Sequence, residues 1–245
     1  MAMDAFDLAE RLQTIVYVMS DLDLGMNTWM SRPFTYPDRP VDRGKVIDGA
    51  KLRELGAAWG RYKDVDGDGI PWRPLPGTDG PGSFTRGSGH NAMAQYSERP
   101  DDYAGNMDRL ARKFDTARTL VPAPVIIREA QSRVGIIAFG SSHWAVQESR
   151  DQLRDESQIE TSYLRLRGYP FSPDVEDFIR QHERVYVVEQ NRDGQMHSLL
   201  LMDIDPELAV RLRSVLHYNG LPIDARSVTD GIQAQERDSS GGSRS

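Results

Sequence analysis

Between Val134 and Gln233 the chain alternates short apolar runs with amphipathic stretches, and this alternation constrains the fold more than any other feature. Val134–Phe139 (VGIIAF), Glu160–Arg165 (ETSYLR), Val185–Glu189 (VYVVE) and Ser214–Tyr218 read as strands. Trp144–Leu153, Val175–Gln181, Asp193–Leu201, a segment beginning near Pro206 and Ala225–Gln233 read as helices. Strands separated by helices are joined by right-handed crossovers into a parallel sheet. Runs that are apolar at consecutive positions fit strands covered on both faces. The expected fold class is therefore α/β, a parallel sheet with helices on both faces.

The chain before Val125 lacks this order. Ala5–Leu12 sets Phe6, Leu8, Ala9 and Leu12 near one face of a short helix, and the β-rich run Ile15–Met19 predicts a strand. A parallel neighbour needs a crossover, and no earlier strand is present to supply one. That strand must join the C-terminal sheet or find its neighbours on another polypeptide. A short helix is expected over Ala50–Trp59. A longer one is expected over Asn106–Arg118, capped by Asn106, with Met107, Leu110, Ala111, Phe114 and Ala117 on an inner face and basic residues opposite. Val121-Pro122-Ala123-Pro124 ends that helix and makes a stiff connector.

Between these helices, Asp64–Met107 is dense in Gly, Pro, Asp and Arg and shows neither a helical nor a strand period. Irregular stretches of this length are usually functional or disordered. Ile70, Trp72, Leu75, Phe84, Met93 and Tyr96 recur as buriable anchors, which disordered segments typically lack. The segment reads as an ordered loop system that touches a ligand or a partner.

Charge and composition remove several function classes. With 30 Lys and Arg against 37 Asp and Glu, the net charge is −7, and no long basic run is present, so nucleic acid is not an expected partner. There is no cysteine, which excludes disulfides, a thiol nucleophile and an iron–sulfur cluster held by this chain. The longest apolar runs are far too short to span a bilayer, and acids stand where a signal peptide carries basic residues. A soluble, cytoplasmic protein without a membrane association is the expectation.

Four segments carry candidate chemistry. Asp64, Asp66 and Asp68 resemble the start of a calcium loop, yet Leu75 occupies the twelfth position, where an EF-hand needs Glu. They are weak metal candidates, and a tight turn in which Asp accepts backbone hydrogen bonds accounts for the same residues. Arg86, His90 and Asn91 in the Gly-rich stretch TRGSGHN can hold a carboxylate or phosphate, or fasten the loop to a neighbouring subunit. Gly140-Ser141-Ser142-His143 joins a strand to a helix and offers an anion seat, with Ser141 as an N-cap. Glu189 and Asn191 follow the third strand at its carboxyl end, where α/β sheets bind ligands and partners.

Read in order, Ser20–Asn27 (SDLDLGMN), Pro33–Pro37, Asp42–Lys45, Arg61-Tyr62, DVDGDGIP, Leu75–Thr78, FTRGSGHN, Tyr96–Glu98, Asn106–Leu110 and RVYVVEQNRDGQM resemble the α subunit of 2-oxoacid:ferredoxin oxidoreductases, especially the 2-oxoglutarate branch. The resemblance implies that residues 1–30 are the end, or remnant, of a pyrimidine-binding thiamine diphosphate domain. It further implies an irregular connector with helices over 31–124, a transketolase-C-terminal-like α/β domain over 125–235 and a disordered tail over 236–245. It implies oxidative decarboxylation of a 2-oxoacid, 2-oxoglutarate above all, to an acyl-CoA with electrons passed to ferredoxin. Thiamine diphosphate with Mg and an iron–sulfur cluster would be held mainly outside this chain, by a β subunit and by the missing half of the pyrimidine domain. The family's substrate-carboxylate and cofactor-activating motifs are absent, so the isolated chain is expected to be inactive and to supply assembly and cleft-covering surfaces. Asp21, Asp23, Arg86, His90, Asn91, Glu189 and Asn191 are then the candidate contacts to cofactor or partner. A non-catalytic binding or scaffold module that retains the fold is the alternative.

Overall fold

The structure is a computed structural model that describes residues 1–80, 82 and 85–241, with side chains in the last helix as far as 238. Phe84, one of the apolar anchors named above, lies outside the described residues. The chain forms two compact units, one of Met1–Met19 with Ser31–Leu120 and the other of Ser20–Met30 with Val121–Ser245.

The second unit is the α/β layer. Its strands are β1 (Val125–Ile127), β2 (Val134–Phe139), β3 (Thr161–Leu166), β4 (Arg184–Glu189) and β5 (Leu212–Leu216), in the order β1-β3-β2-β4-β5. β2 pairs in parallel with both β3 and β4, and β4 with β5, while the edge strand β1 runs antiparallel to β3. β1 is absent from the sequence reading because three residues after a Pro-Ala-Pro run carry no period. In the same unit the helices are α2 (Leu22–Met26), α5 (Ser142–Ser157), α6 (Pro173–Arg180), α7 (Gln195–Asp203) and α8 (Ala225–Gly241), with a 3-10 turn at Pro206–Arg211.

Strand side chains alternate between two cores, as a pleat requires. Val134, Ile136, Ala138, Tyr163, Tyr186 and Val188 face α5 and α8, whose Val146, Leu153, Val228 and Ile232 complete that core. Ile137, Leu164, Val185 and Val187 face the other way, onto Phe178 and Ile179 of α6 and Leu200 of α7. Each such fully buried aliphatic side chain contributes about 1.5–3 kcal/mol relative to exposure. Gly135 lets α6 approach: a Cβ there would stand 2.8 Å from the Phe178 ring.

Two expectations for this unit are corrected. Residues 236–241 are not a disordered tail but continue α8, because Glu236 is claimed by Arg184 (2.6 Å) and by the Tyr186 hydroxyl (2.7 Å). Residues 242–245 lie outside the described residues. Ser141 does not cap α5 with its hydroxyl, which donates to Asp21 instead.

The first unit contains α1 (Ala2–Leu12), α3 (Gly49–Leu55) with a 3-10 turn at Gly56–Ala58, and α4 (Pro100–Ala117). Its apolar core is small, with Leu12, Ile70 and Ala117 at the centre and Leu8 and Leu120 beside them. Ion pairs do much of the fastening. Asp7, buried on α1, binds Arg39 (2.5 Å), and Glu10 reaches Arg43 (3.1 Å) and Arg73. The Arg39 guanidinium, followed by the Asp42 amide, holds the Asp7 carboxyl below its ordinary value.

Three expectations fail in this part of the chain. Ile15–Met19 is not a strand: it pairs with none of the described residues, and Ile15, Tyr17 and Met19 are exposed. Asn106 does not begin a helix, since α4 starts at Pro100 and the Asn106 amide donates to the His90 carbonyl from inside it. The inner face of α4 also differs from the expected one, of which Ala117 alone is fully buried. Arg109, Lys113 and Ala117 are buried, whereas Met107 and Phe114 are exposed. The inner neighbour is a polar turn whose carbonyls demand donors: Arg109 Nη1 donates to Gly69 O (3.1 Å) and Thr116 Oγ1 to Asp68 O (2.8 Å). Unpaired buried carbonyls are costly, and satisfying them outweighs turning the apolar stripe inward. Among the described residues no helix is long and apolar enough to cross a membrane.

Candidate functional site

The strand order places a topological switch point between β2 and β4, because the crossover from β2 leads to β3 and the next returns past β2 to β4. In open α/β sheets the crevice at the carboxyl ends of such strands is where ligands bind. Two turns meet there: Gly140–Ser142 after β2 and Gln190–Gly194 after β4. Gln190 closes the gap, donating from Nε2 to Ser141 Oγ (3.0 Å) and Ser142 Oγ (3.2 Å) while its Oε1 accepts from Ile223 N (3.4 Å).

Asp21 completes the arrangement. Its carboxylate accepts from Ser141 Oγ (2.6 Å), more weakly from Ser141 N (3.4 Å), and from Leu24 N (2.9 Å), which caps α2. The Ser141 hydroxyl and then the Leu24 amide hold the Asp21 carboxyl below its ordinary range. The N-terminus of α5 thus receives an anion from within the chain, an interaction of about 0.3–1 kcal/mol at an exposed helix start. Asp23 lies in the first turn of α2. Next to this seat Trp29 meets Trp144 edge-on at 5.4 Å, and Trp144 leads to His143 (4.7 Å), whose Nδ1 pairs with the Tyr163 hydroxyl (3.1 Å). Burial, then Arg165, pulls the His143 pKa down, so the ring is neutral near pH 7.

Glu189 and Asn191 are turned toward each other and toward α7. The Glu189 carboxylate, fully buried, accepts from Asn191 Nδ2 (2.7 Å), Met196 N (2.8 Å) and His197 N (3.1 Å). Asn191 Oδ1 accepts from Asp193 N (3.1 Å) and Gln195 N (3.3 Å). Gly194, at the N-cap of α7, has no side chain to offer, and the end of β4 supplies the cap.

The remaining candidates belong to the first unit. Arg86 is tied down by Nε to Ala94 O (2.8 Å) and by its amide to the Tyr62 hydroxyl (3.0 Å). His90 stacks on Tyr62 at 4.1 Å, with Nδ1 on Ser88 O (2.9 Å) and a buried Nε2 that meets no partner among the described residues. Asn91 shapes the following turn by accepting from Met93 N (3.0 Å) and Gln95 N (3.1 Å). The three aspartates form a turn around a lysine: Lys45 Nζ bridges Asp66 (2.6 Å), Asp68 (2.7 Å) and Ile70 O (3.1 Å). Asp64 accepts from Gly67 N and Gly69 N, both at 3.0 Å, and from Arg112 (3.2 Å).

The structure therefore gathers Asp21 and the Ser141 turn in one place and Arg86, His90 and Asn91 in another. The Asp21–Ser141 contact, 120 residues apart in sequence, carries no local signal. Gln190 was not singled out, although its place directly after a parallel strand is the cue that marked its neighbours. Trp29 and Tyr163 had no cue.

No protein-family model matches the chain. It is 28% identical over 241 residues to 2-oxoacid:ferredoxin oxidoreductase 2, subunit alpha, of Aeropyrum pernix, a match that covers 95% of this chain and 35% of that protein. Among solved structures, 2-oxoglutarate:ferredoxin oxidoreductase from Magnetococcus marinus, with 2-oxoglutarate, coenzyme A and succinyl-CoA bound, aligns with a TM-score of 0.67 at 19% identity over 81% of this chain and 33% of that one. The alpha chain of a probable 2-oxoacid ferredoxin oxidoreductase from Thermoplasma acidophilum aligns at a TM-score of 0.31 and 20% identity, covering 47% of this chain and 97% of that one. The α/β fold expected from the sequence, a mostly parallel sheet with helices on both faces, is thus present, and it is shared with the Magnetococcus marinus enzyme. Over nearly its whole length the chain resembles the Aeropyrum pernix α subunit, and it spans about a third of the length of that protein and of the Magnetococcus marinus chain.

Proposed function

We propose that the chain is the C-terminal part of the α subunit of a thiamine-diphosphate-dependent 2-oxoacid:ferredoxin oxidoreductase, with 2-oxoglutarate as the substrate, coenzyme A as acyl acceptor and ferredoxin as electron acceptor. The similarity to an oxidoreductase α subunit over 95% of the chain carries this reading. A second observation supports an assembly role. Within the second unit Leu22, Met26 and Met30 are each more than two-thirds exposed, as apolar residues at a partner surface would be. A β subunit with the diphosphate-binding half is the partner that would cover it, and the rest of the pyrimidine domain comes from outside these 245 residues.

The residues present do not fit the cofactors. Asp66 and Asp68 are spent on Lys45, and Asp64 on two backbone amides and Arg112, and no other group of carboxylates and histidines is gathered for Mg among the described residues. The sequence offers no thiolate for an iron–sulfur cluster. No catalytic step is routed through this chain. Its part is positional: Asp21 pins the segment before Met30 to the crevice, Asp23 stands beside it, and Arg86, His90, Asn91, Glu189 and Asn191 shape loops that face partner or cofactor. The non-catalytic scaffold reading would hold if no oxidoreductase partner assembles with the chain.

The test is purification of the tagged chain from its native host, with mass spectrometry of co-purifying polypeptides and reduction of a viologen dye by 2-oxoglutarate and coenzyme A. Recovery of a cysteine-bearing thiamine-domain partner, with activity in the complex and none in the chain alone, is expected. Activity of the isolated chain, or the chain emerging without such a partner, would overturn the reading.

A further inference from the structure

The first unit gathers cations that its own carboxylates do not neutralise. Arg61 has, among the described residues, only the Tyr62 ring beneath its guanidinium at 5.1 Å. Behind it Arg109 and Lys113 are buried on α4, and the nearest acid to Arg109 is Asp64, already paired with Arg112. Arg73 gives one nitrogen to Glu10, while its Nε is buried and donates to none of the described residues. Arg109 Nε is likewise buried without an acceptor. Burial first, then the neighbouring Arg73 and Arg109 charges, pulls the Arg61 pKa down, the signature of a cation short of a counter-charge.

A cavity of about 340 Å³ opens on this cluster, lined by Arg61, Arg73, Pro74, Leu75, Thr78 and Thr85 among others. Two guanidiniums, two hydroxyls and an apolar Pro-Leu wall match a small molecule with one oxyanion head and a modest organic body. Guanidinium forks hold carboxylates and phosphates in two-point contacts. Leaving several cations buried and unpaired is strongly unfavourable, and an incoming anion relieves it.

We propose that this cavity is a binding site for a small oxyanion ligand, a phosphate or a carboxylate, with Arg61 as its principal contact and the hydroxyls of Thr78 and Thr85 as further donors. The proposal stands apart from the oxidoreductase reading, because it rests only on the first unit's own side chains.

Titration calorimetry of the full chain with inorganic phosphate and, separately, with succinate at low ionic strength tests it. Saturable binding of one or both is expected, weakened about tenfold or more in Arg61→Met. Tighter binding of phosphate identifies a phosphate-bearing ligand, and tighter binding of succinate a carboxylate-bearing one. Should Arg61→Met fail to fold, Arg61→Lys keeps the charge without the fork and is expected to lose affinity several-fold while retaining the wild-type circular dichroism spectrum. Absence of binding by both anions, or binding unchanged in a folded Arg61 variant, would refute the site.

Discussion

The buried carboxylate of Glu189 makes a sharp test of how the β4 end is built. Its three donors lie at 2.7, 2.8 and 3.1 Å, two of them backbone amides at the start of α7. In Glu189→Gln the volume is conserved, but one acceptor oxygen becomes an NH2 group. Whichever way the amide turns, at least one N–H of the set faces a donor. Hydrogen bonds to carboxylates contribute about 1.5–3 kcal/mol each, and a buried donor left unpaired costs about 1–3 kcal/mol. Part of this is recovered because a neutral amide is easier to bury, which leaves a net destabilisation of about 3 kcal/mol. For a chain of this size each kcal/mol lowers Tm by about 2–4 °C, so a fall of roughly 6–12 °C is expected in calorimetry. Hydrogen exchange should localise the loss, with the Met196 and His197 amides exchanging roughly a hundredfold faster. A Tm within about 1 °C of wild type, or unchanged exchange at those two amides, would refute the cap.

Other perturbations follow from the same geometry. Lys113→Met removes a buried ammonium whose pKa is depressed by burial, then by Arg109 and Arg61; urea unfolding at pH 7 should show a gain of about 1–3 kcal/mol. The sign with pH is fixed: between the depressed folded value and the ordinary 10.5 the unfolded chain binds more protons, so wild-type stability rises with pH there, and the variant should lose that slope. Asp21→Asn removes a carboxylate held below its ordinary value by Ser141 and Leu24, and limited proteolysis between residues 13 and 31 should quicken by about fivefold. In the wild type the same tie is complete above about pH 3.8 and lost as pH falls through the depressed value, readable as a change in tryptophan emission from the Trp29–Trp144 pair. Gly69→Ala places a Cβ 2.3 Å from Lys113 N at φ +78°, whereas Gly67→Ala at φ +80° meets open space. The first should cost several kcal/mol in denaturant unfolding and the second about 1–2 kcal/mol; equal costs would show that α4 does not rest on this turn.

What could be read in the sequence divides along physical lines. β2 and β4 were legible because strands covered on both faces are apolar at nearly every position, whereas β3, with Thr161, Ser162 and Arg165, was legible from its place in the strand–helix alternation. Helix α4 was legible as a helix, but its orientation was not. Periodicity reports which residues share a face, whereas Gly69 O and Asp68 O decide which face turns inward, and a turn's carbonyls have no sequence signature. The same holds for Ser141: an N-cap is a local inference, and the Asp21 carboxylate that takes its hydroxyl is distant in the chain. Ile15–Met19 has the composition of a strand, but composition cannot supply a pairing edge, and without one the run stays unpaired.

The tether between Asp21 and Ser141 also sets a clock. The residues that pin Ser20–Met30 are made 120 positions after Asp21. At about 5–20 residues per second, ribosomal synthesis leaves that segment without its seat for roughly 6–24 s. Through that interval Asp21 lacks its Ser141 partner and Trp29 its Trp144 contact. Hydrophobic collapse is complete within microseconds, so the delay exceeds by many orders of magnitude the time the segment needs to find a wrong partner. The Asp21 tether is therefore among the last contacts this part of the chain can form as it is made.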